Sequence, residues 1–282
     1  MQSKNPVFTR SSEFNGKGGS YATSPSQWSV GTPGLPGTHQ EVGTGPMTID
    51  SVVQKTGITL GVVILAAAIT WLVTGDPSTV DVNGQNTAIG TLYVLSMIGA
   101  FGGFALSLVN SFKKVISPAL VIGYAALEGV FIGAFSKVIG AQFGTDGNGM
   151  GIIMGAVLGT VAATAGTLAA YKFLNIQVND KFRKWVTAMM FGFVAVSLLD
   201  LVLSMFHSSF GFNGFGTMGL LSSVVGLGIG VLMLIMDFDF VERGIAAGLP
   251  ERESWRAAFG LTVTIVWIYI ELLRILAILN RR

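Results

Sequence analysis

The sequence predicts an all-α, polytopic membrane protein of seven transmembrane helices. The chain has 282 residues, 51% of them hydrophobic and only 11% charged, where a soluble domain carries about 25% charged residues. Its charges gather in the first 55 residues and in a few short loops. Between those loops run apolar stretches close to the roughly 20 residues needed to cross a bilayer.

The first element is a tail. Residues Met1–Pro46 are rich in Gly, Ser, Thr and Pro with scattered charge. They carry too little apolar surface to offset the entropy of ordering, so a disordered cytoplasmic tail is expected, followed by a membrane domain over 47–282. The tail also lacks the apolar core of a signal peptide.

Seven spans follow: Gly57–Thr74, Ala88–Val109, Pro118–Ile139, Gly151–Phe173, Trp185–Phe206, Phe215–Met236 and Ala257–Leu279. Helix breakers separate several of them, among them Gly75-Asp76-Pro77, Gly211-Phe212-Asn213-Gly214 and Gly248-Leu249-Pro250. Small residues recur every fourth position at Gly99, Gly103 and Ser107 and again at Gly151, Gly155 and Gly159. In lipid such ridges let helices approach closely and pack by dispersion. No internal repeat stands out, which argues against an inverted-repeat transporter.

Loop charge sets the expected orientation. Lys55 precedes the first span, Lys113 and Lys114 follow the second, and Lys172, Lys181, Arg183 and Lys184 lie around the junction of the fourth and fifth. Arg243, Arg252 and Arg256 lie between the sixth and seventh, while the alternate loops 75–87, 140–150 and 207–214 hold no Lys or Arg. The positive-inside rule then places the N-terminus in the cytoplasm.

Few ionisable groups fall inside the spans: Glu128 and Lys137 on the third, Asp200 on the fifth, and Glu271 with Arg274 on the seventh. Asp237, Asp239, Glu242 and Arg243 close the sixth. An ionised group at membrane depth costs from ~2.5 kcal/mol to several times that, so such residues face the bundle interior and mark pathways or relays. Asp239 and Arg243 are four apart and pair on one helical face. Asp237 is then free to look inward, and with Glu271 it forms the candidate cation- or proton-handling pair. Brought together in low dielectric, the two would share a proton near neutrality, closing when protonated and attracting water or a cation when ionised. Arg274, three residues after Glu271, either forms a local salt bridge or exchanges between the two acids as a latch. Equal depth for the pair requires Pro250–Trp255 to be a separate surface turn, with Trp255 at the headgroups, or a longer sixth helix. The surface turn is the expectation. Glu128 is a candidate third oxygen donor or gate hydrogen bond, and Asp200 a further acid of the pathway.

Other chemistries find little support. Cysteine is absent and His39 and His207 are the two histidines, which excludes thiolate chemistry and the His-Glu-x-x-His zinc motif. No enzyme activity is expected, and neither is nucleic-acid binding at a net charge of +2.

Three stretches resemble the Bax inhibitor-1 family (transmembrane Bax inhibitor motif proteins), in its bacterial branch. They are Tyr124-Ala-Ala-Leu-Glu-Gly-Val-Phe-Ile-Gly, Leu234-Ile-Met-Asp-Phe-Asp-Phe-Val-Glu and Trp267-Ile-Tyr-Ile-Glu-Leu-Leu-Arg-Ile-Leu. The resemblance implies a seven-helix bundle with the seventh helix central, in a bacterial cytoplasmic membrane. It also implies a pH-sensitive calcium leak channel controlled by acids of helices 6 and 7, here Asp237 and Glu271, with calcium as a transported or weakly bound ion. A latch from the second helix falls on Lys113 or Lys114. No tightly bound cofactor is implied beside the lipid bilayer, calcium or protons. The other role it allows is a non-conducting regulator that binds a membrane protease or another membrane protein.

Overall fold

The computed structural model describes residues 45–77, 87–144, 149–174 and 176–281. The expected tail falls on residues outside these, apart from Gly45 and Pro46. Among the described residues the structure is all-helical: α1 (Ile49–Val73), α2 (Thr87–Phe112), α3 (Pro118–Phe143), α4 (Gly149–Phe173), α5 (Asp180–Met205), α6 (Thr217–Ala246) and α7 (Glu253–Asn280). All seven are long and apolar enough to cross a membrane.

Most helices extend beyond their apolar runs because polar residues at the ends satisfy the free backbone groups. Thr48 and Ser51 form a reciprocal capping box that starts α1 eight residues before Gly57. Asn179 caps α5 through the Phe182 amide, and Pro118 opens α3 where its missing N–H is harmless. At the end of α6, Gly248 takes a left-handed φ of 64°. The Gly248 and Leu249 amides then reach back to the Ile245 and Gly244 carbonyls, closing the helix with a Schellman turn.

That turn leads to a correction. The connection before α7 is only the short turn around Pro250–Arg252, and α6 runs ten residues past Met236. Trp255 lies on the first turn of α7 rather than on a surface turn. It packs on the cluster of Ile116, Val121, Tyr124 and Phe259, 5.7 Å from Lys55 Nζ. The segment before α1 docks here too. Met47 N–H donates to the Leu249 carbonyl and Glu251 N–H to the Gly45 carbonyl, with Met47 buried beside Gly244.

The last helix is the most buried of the seven and packs against α1, α3, α4 and α6, whereas α5 leans chiefly on α6 and α2 on α3. Glycines mark the tight crossings. A methyl group at Gly129 would strike the Val63 carbonyl of α1, and at Gly99 it would strike the backbone of α3 at Phe131. The α4 ridge expected from sequence meets α7, with Gly155 and Gly159 against Leu276 and Leu272. Hydroxyl pairs Ser51–Ser254, Thr59–Thr262 and Ser136–Tyr269, each at 2.7 Å, tie α7 to α1 and α3. Hydrogen bonds between helices act this way where lipid offers no partner.

Lys137 has a structural task. Its ammonium donates to the carbonyls of Trp71 and Thr74 at 2.8 and 2.7 Å and to the Thr74 hydroxyl at 2.9 Å. A cation there meets the negative end of the α1 dipole and satisfies its last carbonyls. Lys137→Met strands these acceptors and should cost about 1–3 kcal/mol, read as a lower unfolding temperature in detergent, with Lys137→Arg close to wild type. An unchanged melting temperature in the Met variant would show that the cap contributes nothing.

Candidate functional site

The two acids on α6 and α7 are each engaged separately. Asp237, half-buried on α6, accepts a 2.6 Å hydrogen bond from the hydroxyl of Thr264 on α7. It lines a cavity of about 390 Å³ with Arg183, Met236, Phe240, Arg243 and Leu249 at the basic end of α6. Glu271 is buried at 5% exposure and accepts from Arg274 Nη1 at 3.1 Å. Its other oxygen lies so close to α6 that a methyl group at Gly226 would come within 2.8 Å of it. Gly226 therefore makes room for a carboxylate between the helices, and its carbonyl accepts the Trp267 indole N–H at 2.9 Å.

The antiparallel register separates the acids. Asp237 stands level with Thr264 and Gly260, and Glu271 with Gly226. From Thr264 to Glu271 is seven residues, about 10 Å at 1.5 Å per residue. The pair expected to share a proton directly is therefore two acids in series along one helix interface. The extra length of α6 narrows their difference in depth without removing it.

The neighbouring charges divide the same way. Asp239 pairs with Arg243 at 2.9 Å as expected, and it also takes Arg183 from α5. That second arginine was not foreseen, because nothing in the sequence brings position 183 to position 239. Arg243 also donates to the Val178 carbonyl at 2.6 Å, and the Tyr171 hydroxyl donates to Glu242 at 2.6 Å. Together these fasten the basic ends of α4, α5 and α6.

Arg274 bridges Glu271 to the α5–α6 loop and makes no contact with Asp237. Besides Glu271, its Nη2 donates to the carbonyls of Phe212 and Gly214 at 3.0 and 3.3 Å and lies 3.5 Å from the Ser222 hydroxyl. Asp200, expected in the pathway, instead holds the α5–α6 loop. Its carboxylate accepts from the amides of Phe210, Gly211 and Asn213 at 2.9, 3.2 and 2.8 Å. Three amide donors account for an acid buried at 2% exposure without a cation. The Gly- and Asn-rich loop sequence signalled a turn but not its anchor.

Glu128 also stands apart from the α6–α7 interface. It turns toward α2, where a methyl group at Gly103 would come within 2.9 Å of its Oε2, and it interacts with Tyr124 one turn earlier. Lys113 and Lys114 are exposed. Their carbonyls, not their ammonium groups, meet α7 through Arg256 at 3.4 and 2.8 Å. The lysine latch on Asp237 is not formed, and Thr264 takes its place. Among the described residues no three His, Cys, Asp or Glu side chains group as a metal site.

A protein of Chlamydia muridarum (strain MoPn / Nigg), described as uncharacterized, is 27% identical over 205 residues, 69% of this chain and 81% of its own length. A family model described as Bax inhibitor 1 like matches residues 5–281, including all three stretches that carry the resemblance and both acids. The chain belongs to the Bax inhibitor 1 like family.

Proposed function

We propose that this membrane protein is a pH-sensitive cation leak, with calcium as the cation, in which Asp237 and Glu271 act as successive stations along the α6–α7 interface. One observation carries the reading. Two carboxylates lie on one buried helix interface, the first lining a cavity and the second closed by a tethered cation. Intramembrane acids that face a bundle interior mark ion or proton paths. Weak stations suit passage, because a site that conducts must also release its ion.

In this reading the cation enters the cavity at the basic end, meets Asp237 and advances to Glu271 when Arg274 gives way. Only an ionised carboxylate attracts it. Protonation removes that attraction, so flux falls as the pH drops and rises as the acids ionise. The basic end is the cytoplasmic face, and the N-terminus lies on that side.

Three outcomes follow. In liposomes loaded with a calcium indicator, Asp237→Asn and Glu271→Gln should each flatten the pH dependence of flux. Wild-type pH dependence in both variants would discard the acids as stations. No calcium flux in wild type at any pH would turn the reading to a non-conducting regulator that binds another membrane protein. The absence of native cysteine makes orientation testable by an impermeant maleimide. Lys184→Cys should be labelled only in inverted vesicles and Ser209→Cys only from the outside, and the opposite pattern would reverse the topology.

A further inference from the structure

The guanidinium of Arg274 sits in a cage made of oxygen. It meets Glu271 Oε2, the Phe212 and Gly214 carbonyls and the Ser222 hydroxyl at 3.1, 3.0, 3.3 and 3.5 Å. The hydroxyl of Ser223 completes the wall. Ser223 is 0% exposed and stands against the Glu271 carboxylate.

The cage is built rather than accidental. Asp200 draws the amides of Phe210, Gly211 and Asn213 toward α5, and the Phe212 and Gly214 carbonyls face α7. Asn213 is clamped a second time, accepting from the Ser197 hydroxyl at 2.6 Å and donating to the Ser197 carbonyl at 2.7 Å. Ser222 is aligned by its own bonds to the Phe212 and Gly219 carbonyls. The loop and α6 thus present oxygens to one point beside α7, with α5 holding the loop in place.

A carboxylate, two carbonyls and two hydroxyls make an all-oxygen donor set, which suits calcium and other hard cations and not soft metals. We propose that this cage, at the end of the bundle opposite the basic loops, is a divalent-cation site that Arg274 fills as a tethered cation, so that an incoming ion must displace the guanidinium. Arg274 has somewhere to go. It is six residues from the end of α7 at Asn280, about 9 Å by helix rise, so a displaced guanidinium can swing toward that end on its long flexible stem. With one carboxylate the cage binds weakly, and water completes the six to eight ligands calcium takes. The proposal rests on the leak reading and gives its second station a ligand set that excludes Asp237.

The test uses the full chain in nanodiscs and terbium as a calcium probe. Trp267, bonded to the Gly226 carbonyl beside Glu271, serves as the luminescence donor. If Arg274 vacates the cage about 10% of the time, removing it tightens apparent binding about tenfold. Arg274→Gln should therefore bind terbium about tenfold more tightly than wild type, with calcium displacing it, and adding Glu271→Gln should abolish the gain. Binding no tighter than wild type, or a gain that survives Glu271→Gln, overturns the proposal. Should Arg274→Gln fail to fold, Arg274→Lys decides. It keeps the charge but lacks the fork that spans carboxylate and carbonyls, so it should show a smaller gain, and none would overturn the cage. The two readings fail separately. A terbium gain in a protein that passes no calcium retains the site and ends the leak; pH-dependent flux without the gain does the reverse.

Discussion

Hydrocarbon offers no hydrogen-bond partner, so each charge inside this bundle must be matched by protein, and the match that organises the others is Arg274 on Glu271. A buried carboxylate left without a cation is strongly destabilising. Here the guanidinium balances Glu271 and at the same time satisfies two carbonyls of the α5–α6 loop. Because Asp200 holds the amides of that loop, the end of α5, the loop, the start of α6 and the last third of α7 form one polar unit. Gly226 completes it by leaving room for the Glu271 carboxylate.

The opposite end is fastened by a different set of charges. Asp239 holds Arg183 and Arg243, and Lys55 pairs with Glu251 at 3.0 Å. Between these two clasps the α6–α7 contact is apolar apart from the Asp237–Thr264 bond and the Trp267 indole on the Gly226 carbonyl. This arrangement isolates Asp237 beside its cavity and gives it a neutral partner in place of a cation. A neutral hydroxyl is easier to leave than an arginine, so in the proposed leak Asp237 would be the more exchangeable of the two acids.

Much of the fold was legible because hydropathy alone decides what crosses a bilayer, and each span lies on a helix of the structure. The helix ends were less legible. The Thr48–Ser51 box and the Gly248 turn extend α1 and α6 by polar rather than apolar signals, and span hunting passes over those. Register was the part that misled. Asp237 and Glu271 carry the right chemistry, yet sequence separation does not say which residues of two antiparallel helices stand level. The short turn around Pro250 sets that, and it leaves the acids about 10 Å apart along α7. Asp200 was hard to place from sequence for a related reason. Its partners are backbone amides, which have no signature in side-chain identity, and the same holds for the carbonyls that receive Arg274.

The central claim is that the two acids are separate stations, each with its own partner, and not one proton-sharing couple. Infrared titration of the carboxylic C=O stretch in wild type and Glu271→Gln tests it most directly. Groups this far apart without shared partners act nearly independently. The variant should therefore lose the Glu271 contribution and move the Asp237 midpoint by no more than about one pH unit, the coupling of two charges about 10 Å apart at an effective dielectric of roughly 20. A larger displacement of the Asp237 midpoint on neutralising Glu271 would mean that the two titrate as one group, and would contradict the account.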